Sequence, residues 1–389
     1  MRVASIGFVS TYPPIECGVG EYTRMLVEAL LEHRPRLRVY IFTPRELKPY
    51  AINGVEVIPA YERGSKSYET LLEELERVGG VDVLHVQHEY GIFGDTPAIF
   101  EALLEARRRG LARVVAATLH TVYHPAGLEE GREARLEAQR AASKLDAVVT
   151  HTVLQEFELL AEGFPANRVH RIPHGTSINP YSGSDRNRLL EELGLDPAEA
   201  PPPRIVVPGF LRPDKGLDTL LEAVALLRER GFGGSVVVAG RAQGRGGLEA
   251  ERVIEEAVSK GLVRRVNRFL ESEDFLRLAA AADVIVLPYR DRPGKLSASG
   301  VLHVAMGTIG RVVVGTRVAR LVELYENAPE LVTVPGDAAS LARLLERVLR
   351  DPDWALGVSE RVWAYGIRTG WRRVAAKHLE LYDSLLGAA

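Results

Sequence analysis

The stretch VVPGFLRPDKGLDTLLEAV, residues 206–224, reads as strand, loop and helix in immediate succession. Its apolar start predicts a strand over 205–207, and its second half a helix over 217–230. The loop between them places Gly209, Arg212 and Lys215 at a strand's C-terminal end. A lysine there can neutralise a diphosphate as a compact charge, and an arginine can clamp one. The plainer reading is a solvated loop in which Asp214 pairs locally.

The same alternation continues on both sides. Downstream, strands are expected over 236–239, 284–287 and 312–314, with helices over 248–260 and near 299–306. Upstream, strands over 3–9, 38–42, 55–58, 83–87, 114–119 and 147–150 alternate with helices over 21–32, 68–78, 98–109 and 129–143. Strand-helix alternation implies parallel sheets with helices on both faces. The strands are apolar without alternation, which suits burial on both faces. A break follows Pro173, where 175–185 is rich in Ser, Asn, Gly and Pro and AEAPPP ends at Pro203. A short helix over 186–193 lies between. The chain therefore predicts an α/β protein of two Rossmann-like doubly wound domains, 1–178 and 179–370. An amphipathic helix over 371–385 follows, and 371–389 is expected to cross back onto the first domain.

Composition narrows the function classes. A length of 389 residues suits two domains. Hydrophobic residues at 46% and charged residues at 26% are ordinary for a globular protein and exclude disorder as the main state. A net charge of −3 argues against a dedicated nucleic-acid binder. Cys17 is the only cysteine, which excludes a disulfide scaffold. No run approaches the roughly 18 apolar residues of a membrane span. The N-terminal MRVASIGFVSTYPP reads as a first strand rather than a signal peptide. A cytoplasmic protein is the expectation, and arginine's excess over lysine points to a heat-adapted source.

Other candidate residues sit at strand ends, where open parallel sheets bind ligands. Gly18 and Gly20 precede a strong helix, and free amides at such a terminus can bind phosphate. Their plainer reading is a tight turn needing positive φ. Gln87, His88, Glu89 and Tyr90 follow a strand directly, and His120 ends another. His85 lies within its strand and reads as a core histidine. His120 and His124 share a strand end and loop, and no cysteine or acidic partner completes a zinc set. The small stretch Ser297–Gly300 opens a helix and suits an anion or a hydroxyl-rich ligand. Asp351-Pro352-Asp353 formally matches a metal-binding DxD, but Asp and Pro are usual at helix starts.

Together these segments resemble the retaining glycosyltransferases of family four, with the GT-B fold. The landmarks, in order, are YPPIECGVGEYT, HVQHEYGIFG, TLHT, IPHG, PGFLRPDKG, VVVAG, RFLESEDFLRLAAAADVIVLPY and SGVLHVAMG. HVQHEYGIFG is similar to a mannosyltransferase-like subset. The resemblance implies two domains facing across a cleft. It implies that Gly18 and Gly20 approach the donor sugar or its phosphates, with Gly209 and Gly240 also on the donor side. His120 would hydrogen-bond the donor sugar, and Lys215 would contact the donor diphosphate. Ser297, Ala298, Ser299, Gly300, Val301 and Leu302 would face sugar and phosphates, and Leu270 would lie near the base. Gln87, His88, Glu89 and Tyr90 would face the acceptor.

Two departures from the family pattern stand out. Phe210 replaces its usual arginine, leaving Arg212 to substitute. Its pair of glutamates is missing, with no Glu between Glu273 and Glu323. The expected activity is transfer of a hexose, mannose or glucose, from a nucleoside-diphosphate sugar (GDP or UDP) to a hydroxyl acceptor, with retention. No metal and no cofactor are expected, because Lys215, Arg212 and helix amides can stabilise the leaving diphosphate. The competing readings are a sugar-nucleotide epimerase of the same architecture and a non-catalytic nucleotide-sugar-binding protein. The acceptor would be a carbohydrate, a lipid-linked sugar or a small molecule. Arg107–Arg109, Arg113, Arg132, Arg135, Arg140 and Lys144 make the first domain locally basic, which could attract the inner face of a membrane. No nucleic-acid partner is expected.

Overall fold

The computed structural model describes residues 2–128, 131–243, 246–290 and 292–388. It divides into two compact units. The first holds Met1–Gly175, Pro293–Ala298 and Trp371–Ala389, and the second Thr176–Arg292 and Ser299–Gly370.

In the first unit the strands are β1 (Ser5–Val9), β2 (Arg38–Pro44), β3 (Tyr50–Ile52), β4 (Val55–Tyr61), β5 (Val81–His88), β6 (Ala112–Leu119), β7 (Thr121–Tyr123), β8 (Ala147–Thr150) and β9 (Val169–Arg171). Among the described residues, eight of these form one sheet in the order β3-β4-β2-β1-β5-β6-β8-β9. All pairs are parallel except the β3–β4 hairpin. The central strands are buried along nearly their whole length, as their apolar runs require.

The second unit carries β10 (Arg204–Pro208), β11 (Ser235–Ala239), β12 (Arg264–Val266), β13 (Val284–Leu287), β15 (Val312–Thr316) and β16 (Val332–Thr333); β14 (Lys295–Ser297) belongs to the first. Their order is β12-β11-β10-β13-β15-β16, and every pair is parallel. One apolar core, including Ile205, Val237, Ile285 and Val313, runs through this sheet and its helices.

Two departures from the sequence reading have clear causes. Pro293–Ala298, expected within the second domain, clusters with the first because β14 pairs antiparallel with β7. The helix expected over 129–143 is observed as Ala134–Ala141, and Glu129 and Glu130 lie outside the described residues.

The terminal helix Trp371–Ala388 packs on the first unit. Asp383 accepts from the Val3 amide at 2.8 Å and pairs with Arg34. Tyr382 and Leu386 join Leu26 and Leu30 of the helix Gly18–His33 in one core. The Tyr382 hydroxyl and the Thr118 hydroxyl hold the two ring nitrogens of His85, at 2.6 and 2.8 Å. His85 is thus a satisfied core histidine. Among the described residues no helix is long and apolar enough to cross a membrane.

Candidate functional site

In the second unit, the chain leaving β10 turns through Pro213–Lys215 into the helix Leu217–Glu229. Gly216 makes that turn possible. It sits at φ +64, and a Cβ there would stand 1.9 Å from the Pro288 carbonyl oxygen. Asp214, directed inward, is 5% exposed. Its carboxylate gathers three guanidinium groups: Arg320 at 2.9 Å, Arg212 at 3.3 Å and Arg292 at 3.4 Å. These cations hold its carboxyl down at about 2, although burial pushes the other way.

Lys215 is buried at 8% exposure, not solvated as the sequence reading had it. Its Nζ stands 3.8 Å from the centre of the Tyr289 ring. Burial lowers its pKa well below the ordinary lysine value, and Arg320 and Arg212 add to this. One carboxylate thus faces four basic side chains beside the C-terminal ends of β10, β13 and β15. Such an excess suits a multiply charged anion.

Gly209 and Gly240 end β10 and β11 with φ +114 and +129. A Cβ on Gly240 would lie 2.1 Å from the Gly209 carbonyl oxygen, so the two backbones touch. Val301 borders Gly209, whose Cβ would meet it at 3.4 Å. The Ser297–Leu302 stretch divides between the units after Ala298. Ser299 spends its hydroxyl capping the helix Gly300–Met306, accepting from Leu302 at 3.3 Å. Leu302 and Leu270 are buried in the core, so neither side chain presents an open face. Phe210, where the family has arginine, packs on Phe269 at 5.6 Å.

In the first unit the helix Gly18–His33 starts from Cys17, which gives no side-chain cap. Its first-turn amides are therefore open to a ligand. Neither Gly18 nor Gly20 has positive φ, so the tight-turn reading does not hold. Nothing lies within 4 Å of a Cβ built on Gly18.

His120 follows β6 and is half-buried. Its Nε2 lies 2.9 Å from the Gln87 Oε1, so Nε2–H donates and Nδ1 is left as the acceptor. Burial, with His151, His88 and His85 nearby, holds its pKa well below the ordinary value. The ring is therefore neutral near pH 7. Tyr22 meets it edge-on at 4.8 Å. Register pairing of β14 with β7 sets Ser297 opposite Thr121, next to His120. The Thr121 hydroxyl donates to Glu89 at 2.7 Å.

The four residues read as acceptor-facing do not behave alike. Gln87 is occupied by His120, and Glu89 by Thr121. His88 is buried against Phe93, stacked at 5.7 Å, and both ring nitrogens lack a hydrogen-bond partner. Burial pushes its pKa down to about 3. Tyr90 is buried too, its hydroxyl 3.3 Å from the Arg135 carbonyl oxygen.

Asp351 caps the helix Pro352–Arg368, accepting from the Trp354 amide at 3.1 Å. The DxD match is a helix start. Arg107, Arg108, Arg109, Arg113, Arg132 and Arg135 are each paired with an acid, so they form no open basic face. Arg292, Arg320 and Tyr289 were missed. Arg320 closely follows β15, and the rule that picked out Lys215 could have found it.

The family model for glycosyl transferases group 1 matches residues 202–351, and that for glycosyltransferase family 4 matches residues 17–179. The chain is 28% identical over 273 residues to an alpha-D-kanosaminyltransferase of Streptomyces kanamyceticus, covering 67% of each. It is 24% identical over 254 residues to a GDP-mannose-dependent phosphatidylinositol monomannoside mannosyltransferase of Corynebacterium glutamicum, covering 64% of this chain and 63% of that one. The chain therefore spans about two thirds of these relatives' length. Among solved structures it is similar to the sucrose-phosphate synthase of Thermosynechococcus elongatus, with TM-score 0.74 at 21% identity, covering 99% of this chain and 100% of that one. It is also similar to Anabaena HepE in complex with UDP, with TM-score 0.73 at 18% identity, covering 99% and 100%. With a family match on each half and two parallel α/β units beneath them, the chain belongs to the family-four glycosyltransferases of GT-B fold.

Proposed function

We propose that this transferase moves a hexose from a nucleoside-diphosphate sugar to a hydroxyl acceptor, with retention and without a metal. One observation carries the donor assignment: four basic side chains surround the single carboxylate of Asp214 at the sheet's C-terminal end. Breaking the glycosyl-phosphate bond builds negative charge on the leaving diphosphate. Arg212, Arg320 and Lys215 can stabilise that charge in place. His120 and the open amides of the Gly18–His33 helix would orient the sugar. The leaving phosphate can take the acceptor's proton as the acceptor attacks the same face, so no carboxylate nucleophile is needed. The names of the relatives favour transfer over the epimerase and the non-catalytic binder. They support GDP-mannose, and the UDP-bound HepE structure a UDP-sugar such as UDP-glucose, as the first donors to try.

The test is thermal. GDP or UDP should stabilise the protein by about 2.7 kcal/mol at a hundredfold excess over Kd. Absence of a shift with every nucleotide and nucleotide sugar would remove the donor assignment. Transfer should survive EDTA; loss with rescue by Mg²⁺ or Mn²⁺ would refute the metal-free reading. Inversion at the transferred anomeric carbon would refute retention. Contact with an anionic membrane would have to rest on Arg140 and Lys144, and vesicle co-sedimentation of their double alanine variant tests it.

A further inference from the structure

A cavity of about 350 Å³ lies wholly within the first unit. Its walls are the turn Pro125–Gly127, the helix Val153–Ala161 and the segment leading into β14. Leu154, Phe157, Pro293 and Leu296 make most of the lining apolar. Phe157 is 70% exposed, a large apolar ring left at the rim.

Glu158 interrupts this apolar wall. It is only 7% exposed. Among the described residues no hydrogen bond or ion pair reaches its carboxylate; only the charge of His124 acts on it favourably. Buried carboxylates are normally paired. One turn further on, Glu162 accepts from Gln139 at 3.0 Å, and its second oxygen is buried without a partner. Burial raises the pKa of both carboxyls, and Glu158 raises that of Glu162 further. The Gln139 hydrogen bond, then Arg140 and His124, oppose this in part at Glu162. A cation at the cavity wall would relieve Glu158, which is the carboxylate that lines it.

The cavity also adjoins the transfer machinery. Leu296 of its lining precedes Ser297, which pairs with Thr121 beside His120. Gln155, from the helix that carries Glu158, donates to the Leu119 carbonyl at 3.0 Å. That helix is thus anchored to the end of β6.

We propose that this cavity receives the acceptor by a protonated amine on a carbon-rich body, with Glu158 pairing the amine and Phe157 and Leu154 covering the carbon. The acceptor assignment rests on the transferase reading; the binding itself does not. A hydroxyl in place of the amine could donate a hydrogen bond to Glu158 but would bring no charge to pair with it, so the cavity should favour the amine.

Calorimetric titration of the full chain without donor tests this. The probes are hexyl 2-amino-2-deoxyglucoside and hexyl glucoside, which differ only in the amine. The amine should bind at least tenfold more tightly. Glu158→Gln should abolish that preference while leaving the melting shift given by UDP or GDP unchanged. Phe157→Ala, at an exposed position that folding does not depend on, should weaken both probes alike. Equal affinities in the unaltered protein, persistence of the preference in Glu158→Gln, or no binding at millimolar probe would each overturn the proposal. A lost nucleotide shift with a retained amine preference would count against the donor assignment alone.

Discussion

The Nζ of Lys215 lies over the ring of Tyr289, 3.8 Å from its centre, and both side chains are buried. The ring face compensates little of the lost hydration. Burial first, then Arg320 and Arg212, holds the lysine pKa well below its ordinary value. An arriving diphosphate reverses the balance, because an anion favours the charged form. Nucleotide binding should therefore take up a proton. Calorimetry in two buffers of different ionisation enthalpy reads this directly. Lys215→Ala should remove the uptake and cut transfer about 10²–10³-fold. Binding with no proton uptake at any pH between 6 and 9 would show that Lys215 is already charged or is remote from the phosphates.

Asp214 should be structural rather than catalytic. Its pKa is depressed to about 2, so it contributes stability above the ordinary value near 4, and that stability is lost as pH falls toward 2. Asp214→Asn leaves Arg212, Arg292 and Arg320 without their shared partner. The loss at pH 7 should be about 3–5 kcal/mol. It should shrink below pH 4, where Asp214 of the unfolded parent chain takes up a proton while the folded one stays charged. Urea melts at pH 7 and pH 3.5 decide it: a loss independent of pH would mean that the carboxylate charge is not what holds the arginines.

Gly216 and Gly261 share nearly the same left-handed backbone, φ +64 and +67. Around Gly261 nothing lies within 4 Å of a Cβ, whereas at Gly216 the Pro288 oxygen would be 1.9 Å away. Gly261→Ala should cost about 1–2 kcal/mol, the left-handed penalty alone. Gly216→Ala should cost clearly more and should displace Lys215 with the turn. Equal melting losses in the two variants would refute the close approach.

The alternation of apolar runs and amphipathic stretches was enough to read most central strands and the two α/β units, because strands buried on both faces carry an unbroken apolar signature. Short edge strands such as β3, β9 and β16 were not legible, since two or three residues carry no periodicity. The β7–β14 ribbon was invisible for a different reason: its halves lie far apart in sequence, and only the fold pairs them. Motif spacing singled out Lys215, Arg212 and His120 as candidates. It gave no account of burial, so it made Lys215 solvated and His88 ligand-facing. Glu158 escaped because a single acid on an amphipathic helix looks like any solvated glutamate.

His88 supplies the sharpest test of that difference. Its imidazole stacks on Phe93 and also touches Phe100 and Tyr90, with both ring nitrogens buried and unpaired. Each unpaired nitrogen costs roughly 1–3 kcal/mol, which offsets much of the strain of inserting a slightly larger ring. His88→Phe should therefore leave stability at pH 7 within about 1.5 kcal/mol of the parent protein. The acid side should change more. Burial lowers the folded pKa to about 3, against about 6.5 in the unfolded chain. The histidine's contribution is thus complete above pH 6.5 and is lost as pH falls from there toward 3. At pH 5 protonation of the unfolded chain at this one site costs about 2 kcal/mol, and phenylalanine removes that term. Denaturant midpoints for His88→Phe should accordingly gain on the parent between pH 7 and pH 5. Transfer should proceed with unchanged acceptor KM, because no atom of His88 reaches an open surface. A raised acceptor KM with intact stability would return His88 to the acceptor site and place the aromatic cluster around it in the binding machinery.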